Sequence, residues 1–306
     1  MLRTYLGSRS RSRPLFGILV VSLGASTFAA CSDGTEIGQR LTEAEDGSTV
    51  ADSAPRADIP SEPSPDGGLQ DAHVNAPQDL GPCTSDMTLV TFDGGSACVD
   101  RYEGALVHGL GDGGETAWPY NRAVDDLEPG TYRAVVARGQ KPQGYISSDQ
   151  AEAACKASAK RLCTRDEWTA ACRGRPDHDN VYPYGNTYEA GACNEGKPSP
   201  IITLYGPNPT YSSAELNDRR CDELDGGLAK GGDYPKCVSA YGAFDMHGNL
   251  HEWVEDSANA VSGTFLGGYF VDAKLNGTGC SYRTTAHQRT YHDYSTGFRC
   301  CSNPRR

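Results

Sequence analysis

Eleven cysteines fall between residues 83 and 301: Cys83, Cys98, Cys155, Cys163, Cys172, Cys193, Cys221, Cys237, Cys280, Cys300 and Cys301. None stands in a C-x-x-C pair, so zinc-ribbon and thioredoxin-type sites have little support. An exported chain uses cysteine chiefly for disulfides, which persist in an oxidising compartment. The odd number leaves one thiol free or intermolecular. Whether these sulfurs are staples, metal ligands or working thiols therefore decides what the chain can be.

The N-terminus reads as an export signal. Arg3, Arg9, Arg11 and Arg13 precede an apolar and small-residue stretch, Leu15 to Ala30, which ends in Phe28-Ala29-Ala30-Cys31. A short apolar region closing on small residues is a secretory signal rather than a spanning helix. The cysteine after "FAA" resembles a bacterial lipobox, so residues 1–31 are expected to be a lipoprotein signal with Cys31 lipidated. Acyl chains there anchor a protein to a membrane without spanning it. An ordinary signal with a chance cysteine is the plainer alternative. Ser32 points towards outer-membrane sorting, with the periplasmic or surface face left open.

From Ser32 to Pro82 there is no Phe, Trp, Tyr or Cys, and Asp, Glu, Ser, Pro, Ala and Gly dominate. Such a segment buries too little apolar surface to offset its ordering entropy, so 32–82 is expected to be a disordered acidic linker. The first 31 residues carry +4 and the linker −9, which leaves −7 of the formal −12 for residues 83–306. An acidic domain on an acidic tether has no electrostatic footprint for nucleic acid.

Residues 83–306 have the size of one domain. "TLVTFDGGSACVDRYEG" predicts a hairpin around "DGG" that Cys83 and Cys98 would staple. Two capping boxes, Ser147 with Gln150 and Thr164 with Glu167, predict two short helices. Ala151, Ala154, Cys155 and Ser158 share one face of the first; Trp168, Ala171 and Cys172 share the buried face of the second. Residues 182–241 read mostly as loop, a length unusual without disulfides or ions to hold it. Cys193 with Cys237 would close that loop, although which of Cys193, Cys221 and Cys237 stays unpaired is open. "GTFLGGYFV" and "YSTGFRCC" read as short strands.

"DMHGNLHEW" carries two carboxylates, Asp245 and Glu252, across a Gly-Asn turn that exposes carbonyls. Calcium takes this mixture of oxygens; a capped turn with Glu252 merely solvated fits the spacing equally well. His247 and His251, four apart, lack the H-E-x-x-H order and have Gly248-Asn249 between them, so two exposed histidines are expected rather than a metal site. His287 and His292 are equally unsupported as ligands. No phosphate loop and no G-x-S-x-G elbow occurs.

Taken in order, "CVDRYE", "KRLCTRDEWTAACRG", "YPYGN", "DMHGNLHEWV", "LGGYF" and "TGFRC" resemble the formylglycine-generating enzyme, or sulfatase-modifying factor, family over nearly all of Cys83 to Cys301. The resemblance implies an α+β fold of the C-type-lectin-like kind, disulfide-rich, with little regular structure. It also implies structural calcium, with Asp245 and Glu252 as side-chain ligands, Gly248 and Leu250 as carbonyl ligands, and Asn194 and Glu195 at a second site. The family's enzymes oxidise a client protein's cysteine with O₂, using two thiolates, soft donors that suit Cu(I).

Here the chain departs from the pattern. Tyr269 follows Gly267-Gly268 where the family has serine, Asp272 stands at the first catalytic cysteine, the second falls near Gly279, and His251 replaces a tryptophan. The resemblance further implies Cys155–Cys300 and Cys172–Cys280, with Cys163–Cys301 as an added link. A disulfide at Cys280 leaves copper no thiolate. The expected function is a lipid-anchored, non-catalytic binding or scaffold module for a protein or small-molecule ligand, using Tyr269, Asp272, Trp253 and His287. The alternative is a copper-dependent oxidase in which Cys280 and a partner thiol hold Cu(I).

Overall fold

Alternation around "DGG" forms the first two strands. β1 (Met87–Phe92) and β2 (Gly95–Asp100) pair antiparallel, Met87 opposite Asp100 and Phe92 opposite Gly95, and Cys83–Cys98 ties the entry of this hairpin down. The computed structural model describes residues 81–109, 113–259 and 261–306. The expected signal at 1–31, Cys31 with it, and the expected linker up to residue 80 lie outside the described residues. A second small sheet has β3 (Ala105–His108) between β4 (Thr116–Ala117) and β5 (Tyr132–Val135), all antiparallel.

Local chemistry sets the two main helices. In α1 (Ser148–Ala157) the Ser147 hydroxyl accepts from Gln150 N while the Gln150 side chain accepts from Ser147 N. After β6 (Arg161–Leu162), α2 (Arg165–Arg173) repeats the device with Thr164 and Glu167. Each such cap contributes about 1 kcal/mol. Glu167 also takes both guanidinium nitrogens of Arg161. The faces that go inward are Ala151, Ala154 and Cys155 on α1, and Trp168, Ala171 and Cys172 on α2.

Residues 182–241 are irregular except for α3 (Pro200–Tyr205), α4 (Ser213–Leu216) and a 3₁₀ turn at Arg219–Asp222. Both helices start on a serine cap, Ser199 and Ser212, but span too few residues to show a period. Cys193–Cys237 closes this stretch.

The C-terminal part adds β7 (His251–Val254), β8 (Thr264–Leu266), β9 (Arg283–Thr284) and β10 (Thr296–Phe298), in spatial order β10-β7-β8-β9, with only β10 and β7 parallel. β11 (Cys300–Ser302) instead joins the first sheet, giving β1-β2-β11-β6. A single residue, Arg299, separates β10 from β11, so the chain changes sheets there. Cys155–Cys300 and Cys163–Cys301 lock that crossing to α1 and to the entry of α2, and Cys172–Cys280 ties α2 to the loop before β9. Cys221 is the one free thiol among the described residues, and it is buried. No helix among the described residues is long and apolar enough to cross a membrane.

Trp253 does not line a ligand surface, contrary to the expectation from sequence: it is fully buried between α1 and β8, stands edge-on to Phe265, and donates its indole N–H to Ile146 O. Period-two alternation in a strand says that neighbours face opposite ways, not which face meets solvent. In β7 both faces are covered.

Candidate functional site

The Gly248-Asn249 turn carries "DMHGNLHEW" into β7. Gly248 (φ +79°) and Asn249 (φ +58°) are both left-handed, and a Cβ on Gly248 would come within 2.1 Å of Asn194 O, so glycine is required there. Asn249 donates to Glu103 Oε2 at 2.5 Å and accepts from Ala229 N, while Leu250 N donates to Glu103 Oε1.

Glu252 is neither solvated nor free to bind a cation. It is 1 % exposed, and its oxygens accept from Arg299 Nη2 (2.7 Å), Arg299 Nε (2.9 Å) and Trp168 Nε1 (2.7 Å). Arg299 is itself fully buried and donates further to Asp100 O and Phe244 O. The guanidinium supplies the positive charge that calcium would supply, so Glu252 does not fit the ligand role. Asp245 accepts from Gly232 N and lies in the same field; burial pushes its pKa up to about 7. Burial, with Glu252 and Asp245 adding repulsion, also raises Glu103 well above the usual range. Asn194 differs: it is buried, its amide nitrogen donates to Gly227 O and Asn249 Oδ1, and its Oδ1 has no partner. An orphaned buried oxygen fits a hard cation. The adjacent Glu195 faces His247 at 3.3 Å and Lys274 at 3.5 Å.

The two histidines expected to be exposed are buried, and they belong to different surroundings. His247 lies against Glu195 and edge-on to Tyr182. His251 sits beneath the "GGY" segment, with ring contacts to Phe265 (4.3 Å), Tyr269 (4.8 Å) and Tyr282 (5.5 Å). A burial-driven shift lowers its pKa to about 3, so the imidazole is neutral. Their long-range partners, out of reach of any local pattern, exclude water from both.

His251 is the middle of a chain of polar contacts. Asp293 Oδ1 accepts from Ser295 Oγ (2.7 Å); Ser295 Oγ lies 3.2 Å from His251 Nδ1; His251 Nε2 lies 3.2 Å from the Tyr282 hydroxyl; and that hydroxyl donates to Asp272 Oδ2 at 3.1 Å. Four links need four protons, but serine, neutral imidazole and tyrosine supply one each. The Tyr282 hydroxyl is thus shared between two acceptors. The Asp272 Oδ1 atom is committed to Lys274 N and Leu275 N.

Tyr269, Asp272 and His287 are each half-buried at the rim of this cluster. Tyr269 meets Tyr294 edge-on, and His287 stacks on Tyr291 at 3.9 Å and on Phe265 at 5.6 Å. Cys280, the remaining sulfur near the position of a catalytic pair, is buried in its bond to Cys172. The free Cys221 lies in a cluster with Tyr145, Leu228 and Tyr294, against which Tyr269 packs, and burial pushes its thiol up to about 12. Ser295, Tyr282 and Asp293 escaped the sequence reading because they carry no motif; Arg299 lay in the quoted "TGFRC", where an arginine between apolar and cystine residues is the available signal. A cavity of about 420 Å³ between the hairpin tip and α2, lined by Phe92, Arg173 and Arg175, holds none of these residues. Among the described residues no group of three or more His, Cys, Asp or Glu side chains is arranged to hold a metal ion.

The family described as "Sulfatase-modifying factor enzyme 1-like domain" matches residues 102–304. Inactive C-alpha-formylglycine-generating enzyme 2 of Bos taurus is 26% identical over 192 residues, covering 60% of this chain and 58% of its own. The Mus musculus protein of that name is 27% identical over 170 residues, covering 53% and 49%. The chain therefore spans about half the length of these curated relatives. Among solved structures, PvdO from Pseudomonas aeruginosa superposes with a TM-score of 0.40 at 15% identity, covering 71% of this chain and 90% of that one.

Proposed function

Since the chain belongs to the sulfatase-modifying factor enzyme 1-like family, with its C-type-lectin-like fold, we propose that its domain is an extracytoplasmic binding or scaffold module without the family's copper oxidase activity. One observation carries the reading: Cys280 is held in a disulfide and Asp272 stands where the first thiol belongs. Copper(I) at such a centre needs two soft donors, and a cystine sulfur and a carboxylate supply neither. The names of the two mammalian relatives, both called inactive, support the same reading. The full chain, given Cu(I), O₂ and a cysteine peptide of the sulfatase type, is expected to form no aldehyde above the protein-free control. Aldehyde formed in repeated turnovers would establish the oxidase alternative.

Two further parts of the proposal are tested separately. A lipid anchor at Cys31 rests on the lipobox-like "FAAC"; Cys31→Ser is expected to release the chain from the membrane fraction, and unchanged partitioning would remove the anchor. Calcium is proposed at the Asn194 end alone, where Oδ1 lacks a partner. Excess chelator is then expected to lower the melting temperature, because a ligand bound only to the native state stabilises it. An unchanged melting temperature would reject the ion.

A further inference from the structure

The rim around Asp272 is chemically one-sided. Asp272 and Asp293 are the charged side chains that act most on the rings of Tyr269, Tyr282, Tyr291 and Tyr294. Lys274, close in sequence, is turned away over the Tyr188 ring and towards Glu195. Asp293 is satisfied by Ser295 and Tyr291. Asp272 is half-buried, and its Oδ2 has only the Tyr282 hydroxyl, which His251 Nε2 also claims. The half-buried Tyr269 stands beside it: its N–H donates to Asp272 O, and its hydroxyl lies in the field of the Asp272 carboxylate. A half-buried carboxylate whose Oδ2 has a single shared donor, next to the Tyr269 ring and with Lys274 and Arg283 paired to Glu195 and Asp256 instead, suits a cation that brings its own N–H.

We propose that this rim binds a primary ammonium group, which donates to Asp272 Oδ2 and rests its alkyl stem and charge against Tyr269. The ligand's proton makes up the missing one: Tyr282 is freed to donate to His251 Nε2, and the run from Asp293 to Asp272 is then satisfied at every link. The same chemistry is carried by a small amine and by a lysine side chain on a client protein. This inference names the ligand class of the binding module proposed above and rests on that reading.

Calorimetric titration of the full, disulfide-intact chain tests it with n-butylammonium, n-butanol, n-butyrate, tetramethylammonium and a blocked lysine-containing peptide. n-Butylammonium is expected to bind saturably. Butanol (a donor without charge), butyrate (the opposite charge) and tetramethylammonium (charge without a donor) are each expected to bind about tenfold more weakly or less. Asp272→Asn, which keeps the turn to Lys274 and Leu275, is expected to weaken n-butylammonium about tenfold. Tyr269→Leu, which keeps the carboxylate, is expected to weaken it several-fold; melting curves confirm that each variant is folded. A peptide at least tenfold tighter than n-butylammonium assigns the site to a protein client, and equal affinities assign it to a small amine. Unsaturable n-butylammonium binding, full affinity in folded Asp272→Asn, or tetramethylammonium binding as well as n-butylammonium would overturn the proposal. Aldehyde formation would instead sink the binding-module reading itself, so the two failures are told apart.

Discussion

Replacing Arg299 with methionine is expected to destabilise the domain by about 3–5 kcal/mol, the usual cost of stripping one partner from a buried charge pair. Arg299 is fully buried and makes four hydrogen bonds: two to Glu252, from Nε and Nη2, and one each to Asp100 O from Nη1 and Phe244 O from Nη2. Three buried carboxylates, Glu252, Glu103 and Asp245, depend on its charge. A domain of this size shifts by about 2–4 °C per kcal/mol, so a melting temperature lower by roughly 10 °C is the measurement. The loss also depends on pH. Glu103 and Asp245 have raised pKa values in the folded state, so that state holds more protons than the unfolded chain, and stability falls as pH rises from the ordinary carboxylate range to about 7. Removing the guanidinium raises both further. The gap between variant and parent should therefore be wider at pH 8 than at pH 5. Adding Glu252→Gln to Arg299→Met should recover part of the loss, because the orphaned charge is gone. A variant that melts with the parent, or with the same deficit at both pH values, would show that Arg299 does not neutralise this cluster.

What could be read in advance was local. The capping boxes at Ser147 and Thr164 lie within four residues of chain, and both helices begin there. The hairpin at "DGG" and the turn at Gly248-Asn249 are written in glycine and its neighbours. What could not be read was decided by partners far away. Glu252 meets Arg299 across 47 positions, Tyr282 reaches His251 across 31, and Ser295 reaches it across 44. No periodicity reports such pairs, so from sequence alone Glu252 fits calcium and solvent equally, the histidines read as exposed, and Trp253 reads as a surface residue. The family resemblance, rather than any spacing, supplied the pairing of Cys155, Cys172 and Cys280.

Cys172→Ala with Cys280→Ala is expected to cost about 3.5 kcal/mol, less than a reading of the separation alone suggests. The bond closes a loop of 108 residues, which in the chain-entropy model contributes roughly 4.8 kcal/mol. Cys163–Cys301, however, already joins the same two regions in the unfolded chain. Through that link, Cys172 and Cys280 are connected by a path of about 30 residues rather than 108, and the entropy left to remove is that of the shorter loop. The two sulfurs are also packed among Trp168, Met246 and Leu266, where serine hydroxyls need partners that an apolar cluster lacks. Double substitution with alanine isolates the cross-link from that polar cost and should be milder than serine by about 1–2 kcal/mol. Removing Cys163 and Cys301 first should then enlarge the effect of losing Cys172–Cys280, since the full loop is restored to the unfolded chain. Denaturant unfolding of the four proteins separates the outcomes. Equal losses with and without Cys163–Cys301 would show that the two bonds act independently, and that native packing rather than shared loop entropy sets their contribution.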